Sequence, residues 1–181
     1  KDILSLMYLC ECNGLKEVGE YWQQVIAIND YQMERFVNRI TQSMFNTLVD
    51  KKIAVFGFAF KPDTGDTRDA PAFYMCKRLL RERARLCISD PHALENARKD
   101  MQGLPGNVEY ESDPCKAAKN AHAIVLATEW NCFKTLDYRR IFKKMEKPAF
   151  VFDGRNHLDH DQLFKIGFNV YSIGKPDRHH F

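Results

Sequence analysis

From Lys52 onward the chain repeats one pattern: a short, almost wholly apolar run, then a polar turn, then a segment with helical spacing. The runs are Lys52–Phe58 (KIAVFGF), Arg85–Ser89 (RLCIS), Ala123–Ala127 (AIVLA) and Ala149–Phe152 (AFVF). A strand that faces water on one side alternates apolar and polar residues, and these do not. Both of their faces must be buried, which requires a parallel sheet covered by helices on each side. Shorter strands are predicted at Val108–Tyr110 and Asn169–Ile173, with helices over Pro71–Arg83, 91–101, Asp113–Asn120, Asp137–Met145 and Asp159–Ile166. Pro71 suits a first helical turn, where its absent N–H costs nothing.

Residues 1–48 differ. Apolar residues recur at near-helical spacing through Ile3, Leu6, Leu9, Cys10 and again from Val18 to Leu48, with Asn13-Gly14 as a break. A helix of roughly 30 residues would be about 45 Å long. That exceeds a small domain's interior, so it reads as a spine that joins domains or packs on a partner. The expected organisation is a helical segment at 1–48, an α/β domain at 49–175 and a frayed tail at 176–181. The fold class is a Rossmann-like parallel sheet with helices on both faces, preceded by the spine.

Composition limits the function. The net charge is +3 with scattered basic residues, whereas a nucleic-acid protein gathers them on one face. No run approaches the length of a membrane span. The six cysteines, at 10, 12, 76, 87, 115 and 132, form no C-x-x-C pair. They read as reduced, packed thiols of a cytoplasmic protein. His157 and His160 have a spacing that could hold a metal on a helix, but no third ligand is evident and Asp159 reads as a helix cap, so no metal is expected.

In such a sheet, ligands bind beyond the carboxyl ends of the strands. Three constrained, polar turns fall there: FAFKPDTGDTR after the first strand, Thr128-Glu129-Trp130 after AIVLA, and Asp153-Gly154-Arg155-Asn156 after AFVF. Asp90 follows the second strand, where a dinucleotide-binding domain carries its ribose acid. No G-x-G-x-x-G loop accompanies it, so a dinucleotide site is not expected here.

FGFAFKPDTGDTRDAP, ATEW followed by Phe133, and FDGRN together resemble the UDP-binding C-terminal domain of UDP-glucose 6-dehydrogenase, in the UDP-glucose/GDP-mannose dehydrogenase family. YWQQVIAINDYQ resembles that enzyme's central helix. The resemblance implies two successive NAD-dependent oxidations of a sugar C6 alcohol to a carboxylate, through a cysteine-bound intermediate. It places the cysteine in a G-G-S-C-F-Q-K-D motif, of which Lys1-Asp2 looks like the end. The nucleophile is then expected three residues before Lys1, with most of the NAD site also upstream, so that this chain would be an inactive fragment by itself. The resemblance implies catalytic roles for Asp2 and Lys61, substrate contacts from Phe60, Lys61 and Arg155, and cofactor contacts from Lys1 and Arg68. It implies UDP-glucose as substrate and a homo-oligomer formed through the central helix. The alternatives are a relative acting on another nucleotide sugar, such as GDP-mannose, and a non-catalytic nucleotide-sugar-binding module.

Overall fold

The computed structural model describes residues 2–181. Two helices come first, α1 (Asp2–Cys12) and α2 (Lys16–Ser43). They form a tight hairpin: the Leu15 N–H donates to the Cys10 carbonyl, and a Cβ on Gly19 would lie 3.6 Å from that of Cys10. Gly14, at φ +70°, makes the turn. The expected long helix is present. At 28 residues α2 is about 42 Å long.

After it come β1 (Lys52–Phe56), α3 (Pro71–Arg81), β2 (Arg85–Ser89), α4 (Leu94–Asp100), β3 (Asn107–Tyr110), α5 (Pro114–Ala117) and β4 (Ala123–Leu126). Then follow α6 (Asn131–Lys134), α7 (Tyr138–Lys144), β5 (Phe150–Asp153), α8 (His160–Ile166) and β6 (Asn169–Ser172). The strands form one sheet in the order β3-β2-β1-β4-β5-β6, and every neighbouring pair is parallel. The chain winds outward from β1 to β3, then returns to place β4 on the other side of β1. The strand order therefore reverses between β1 and β4, and a crevice opens beyond their carboxyl ends.

Alternate residues of each strand feed two cores. Ile53 and Val55 of β1 join Leu79, Leu86 and Val125 on one face, while Ala54 and Phe56 join Ile124, Phe133 and Ile141 on the other. The first face is completed by the end of α2: Val37, Ile40 and Met44 are buried with Phe150, Phe152 and Tyr171. The last third of α2 is thus part of the α/β core. Upstream, Leu15, Val18, Tyr21, Val25, Ile28 and Tyr31 remain exposed, as do Leu4 and Tyr8 of α1.

Residues 175–181, expected to fray, are exposed but tethered. Arg178 exchanges two backbone hydrogen bonds with Val170 and pairs with Asp161. His180 stacks on Phe164 at 4.1 Å, and Phe181 packs against Phe45 and Phe150. These contacts cover the outer edge of β6, which would otherwise present unpaired backbone groups. All six cysteines are free. Cys10, Cys76 and Cys87 are buried as expected, but Cys12 and Cys132 are exposed and Cys115 is partly exposed.

One polar cluster ties α2 to α3. Glu34 accepts from the Tyr74 hydroxyl at 2.5 Å and from Arg78 Nη2 and Nε at 2.7 and 3.1 Å. The Arg78 guanidinium, with help from Tyr74, holds the Glu34 carboxyl below its ordinary value of 4.5. A depressed folded-state pKa stabilises the fold above the unfolded value, and that stability is lost as pH falls through the folded one. Glu34→Gln is therefore expected to cost about 1 kcal/mol at neutral pH, at the upper end for a half-exposed pair. Urea unfolding of the two proteins should converge once the pH is below both pKa values.

Candidate nucleotide-sugar site

The site is built on a buried carboxylate. Asp90 follows β2 and is 1% exposed. Its Oδ1 accepts from the backbone N–H groups of His92 and Ala93 at 2.8 and 2.7 Å. Its Oδ2 accepts from the N–H groups of Phe58 and Ala59 at 2.7 and 3.0 Å and from Trp130 Nε1 at 3.1 Å. One side chain thus ties together the turns after β1, β2 and β4. The Trp130 indole is buried and stacks on His92 at 5.1 Å, so it serves packing.

The β1 turn is also pressed against the β4 turn. Thr128 Oγ1 donates to the Ala59 carbonyl at 2.6 Å. Gly57 has φ +87°, and a Cβ there would come within 2.4 Å of the Thr128 Cβ. Only glycine satisfies both the torsion and the approach. Further along, Phe60 N–H donates to the Asp66 carbonyl at 2.8 Å. Asn96 Nδ2 donates to the Gly65 carbonyl at 2.7 Å, and Thr67 Oγ1 to Asp100. The loop is therefore held in shape before any ligand is considered.

A second buried carboxylate shapes the β5 turn. Asp153 Oδ1 accepts from the Arg155 N–H at 2.9 Å, and Oδ2 from the N–H groups of His157 and Leu158 at 2.8 and 2.9 Å. His160 Nε2 lies 2.8 Å from the same Oδ2. His160 is thereby committed to this turn, and Asp159 caps α8 by accepting from Gln162 N–H. Among the described residues, no group of three His, Cys, Asp or Glu side chains could hold a metal ion.

The predicted site residues separate into two sets. Arg155 reaches across from the β5 turn. Its Nε donates to the Ala127 carbonyl at 2.8 Å and its Nη2 to the Phe60 carbonyl at 3.2 Å. The structure thus brings Arg155 against Phe60, directly before Lys61. Phe60 and Lys61 are both exposed, and among the described residues the Lys61 ammonium has no hydrogen bond or ion pair. Arg68 does not join them. It is forked onto Asp66, at 2.9 Å from Nε and 2.6 Å from Nη2, and this pairing lowers the Asp66 carboxyl to about 2. Asp2 is exposed in the first turn of α1 and shares no hydrogen bond or ion pair with Phe60, Lys61 or Arg155. Lys1 lies outside the described residues.

Side chains of α2 and α3 that the sequence did not point to complete the site. A cleft of about 180 Å³ beside Arg155 is walled by Gln32, Met33 and Phe36 of α2 and by Pro71 and Met75 of α3. Its floor includes Gly154, where a Cβ would meet the Leu126 carbonyl at 2.9 Å and the Phe36 ring at 3.3 Å. The α3 N-terminus opens here with no side-chain cap and no acidic residue in its first turn; Pro71 has no N–H and the Phe73 N–H is taken by the Ala70 carbonyl, so what it offers an anion is chiefly the positive end of the helix dipole. Two larger hollows, of about 340 and 330 Å³, flank α8 and contain none of the predicted residues.

A dinucleotide in the usual Rossmann position does not fit. Asp90, which would take the ribose hydroxyls, already accepts five N–H donors, and the buried Trp130 is packed against it. A doubly wound sheet with cationic side chains and a helix N-terminus on the turns at its switch point defines a nucleotide-binding α/β domain of another kind.

The comparisons agree. The model for the UDP binding domain of the UDP-glucose/GDP-mannose dehydrogenase family matches residues 54–160. UDP-glucose 6-dehydrogenase 3 of Arabidopsis thaliana is 57% identical over 194 aligned positions, covering 97% of this chain and 40% of that protein. UDP-glucose 6-dehydrogenase 1 of Glycine max is 54% identical with the same coverage. The structure of a UDP-glucose dehydrogenase from the archaeon Pyrobaculum islandicum is similar with a TM-score of 0.75 at 26% identity, covering 94% of this chain and 35% of that one. The chain belongs to the UDP-glucose/GDP-mannose dehydrogenase family. It spans 40% of the length of these plant relatives.

Asp90→Asn replaces one acceptor oxygen with a donor facing other donors. It should destabilise the chain by about 3 kcal/mol in denaturant unfolding, the scale of breaking a buried charge-assisted network.

Proposed function

We propose that this chain supplies the nucleotide-sugar-binding part of a UDP-glucose 6-dehydrogenase, which oxidises UDP-glucose to UDP-glucuronate. The observation that carries the reading is that Arg155, which donates to the Phe60 carbonyl just before Lys61, lines the same cleft as the start of α3. The guanidinium and the helix dipole suit a diphosphate. Lys61, a free ammonium on a rigid loop, suits the sugar and the carboxylate that develops on it. Arg155 is anchored by two neutral carbonyls and pairs with Glu129 on one side, and no described residue engages its Nη1.

Several finer parts belong to the same proposal. NAD accepts the hydrides, although the residues described here do not form its usual site. Asp2 assists proton transfer beside the nucleophilic cysteine, and Arg68 turns from Asp66 toward the cofactor. A second copy of the chain covers the exposed apolar stripe of α1 and α2, which supports a homo-oligomer. The six free cysteines support a cytoplasmic setting, and among the described residues no helix is long and apolar enough to cross a membrane.

The test is the yield of NADH from limiting UDP-glucose, measured on the full-length protein that contains this chain. About two NADH per sugar are expected, since an alcohol becomes an acid in two hydride transfers. Lys61→Ala should lower kcat/KM by at least about tenfold. Turnover with GDP-mannose alone would retain the family and replace the substrate. A folded protein that reduces NAD with neither sugar would point to a binding module.

A further inference from the structure

Glu129 sits in the β4 turn with an unusual carboxylate. Its Oε2 has no exposed surface and accepts no hydrogen bond among the described residues. The nearest cation is the Arg155 guanidinium, with Nε 3.1 Å away. That Nε–H is aimed at the Ala127 carbonyl instead, so Glu129 offers Arg155 its charge and not a hydrogen bond. A buried acceptor without a donor is costly. A carboxylate beside a cleft for an anionic ligand also opposes that ligand. Neither cost is explained by packing, since a neutral side chain of the same shape would avoid both.

The charge does one thing that a neutral group could not. Arg155 is anchored through its own N–H to Asp153, through Nε to Ala127 and through Nη2 to Phe60. The last two anchors are neutral carbonyls, which leave the cation free to swing toward water. Glu129 supplies the counter-charge on the buried side of the guanidinium. Nη1, which no described residue engages, is then left for the cleft. We propose that Glu129 is a positioning residue that fixes the Arg155 guanidinium with Nη1 toward the phosphate oxygens of the bound nucleotide. The inference rests on the nucleotide-sugar reading above.

UDP and uridine titrated into the chain, followed by NMR so that weak affinities are measurable, test both. Glu129→Gln and Glu129→Ala should each weaken UDP by about tenfold, the size of one charge-assisted hydrogen bond. Uridine, which lacks the phosphates, should bind them as it binds the unmodified chain. Arg155→Ala should lose UDP affinity to at least the same degree, and adding Glu129→Ala to it should cost nothing more, because the two act through one contact. Unchanged or tighter UDP binding in Glu129→Gln would overturn the proposal, as would additive losses in the double variant. An equal loss for uridine, or variants that do not fold, would assign Glu129 to stability and overturn it too. If the unmodified chain ignores UDP, the nucleotide-sugar reading fails first and takes this inference with it.

Discussion

The Asp90 carboxylate is the interaction on which the carboxyl edge of the sheet depends. Parallel strands end in backbone N–H groups that have no ladder partner, and the turns after β1, β2 and β4 all end at the same place. Water cannot reach them once Trp130 is packed there. A single carboxylate with two oxygens can accept five N–H groups from three turns, which no neutral side chain could do. Asp153 repeats the solution one strand beyond β4, where it gathers the β5 turn and His160. The two acids flank the central β1–β4 pair, and between them they make rigid the loops that carry Lys61 and Arg155.

This use of Asp90 also decides what the domain can bind. A doubly wound sheet in the order 3-2-1-4-5-6 ordinarily offers a glycine-rich β1 turn to a pyrophosphate and an acid after β2 to a ribose. Here the β1 turn is filled by Phe58 and Ala59, both buried, and the acid is consumed by the backbone. The ligand site shifts to the other flank of the switch point, where Arg155, the α3 N-terminus and α2 meet. The same fold thus presents a different surface because one side chain changed its partner from ligand to loop.

Much of the architecture was legible because burial on both faces leaves a plain mark. The RLCIS run is β2 with both ends as expected; β1, β4 and β6 stop one or two residues short of the expected end, and β5 lies one residue later, at Phe150–Asp153. The short α6 was not resolved as a helix, since four residues carry no periodicity. Arg155 and Phe60 were named through the resemblance, and their contact is a tertiary fact that spacing could not show. The resemblance assigns Arg68 to the cofactor, and in the structure Arg68 is paired with Asp66, two residues away. Glu129 and Asp90 were seen as turn residues. What each one touches depends on a carbonyl, an indole or a guanidinium brought from another strand, and no local pattern encodes that. The tail was misjudged because its polar composition hides a backbone pairing with β6.

The position of α2 links the fold to the site in a way that neither half shows alone. Its last third is a core helix, so its direction is set by packing on Phe150 and Phe152 and by the Glu34 cluster. Its middle, one turn earlier, walls the cleft through Gln32, Met33 and Phe36. The α1–α2 hairpin then carries the chain back on itself. Continuing the antiparallel packing from Cys10 against Gly19 at 1.5 Å per residue sets Asp2 alongside roughly Ala27, less than about two turns from that wall. A helix that looks like a passive spacer therefore determines how far the start of α1 lies from Arg155. Rotation of α2 about its buried end would move its wall of the cleft relative to that of α3, and the Glu34 contacts with Tyr74 and Arg78 of α3 oppose that rotation at the level of the cleft itself. The three side chains that join α2 to α3 thus also hold the two walls of the cleft together.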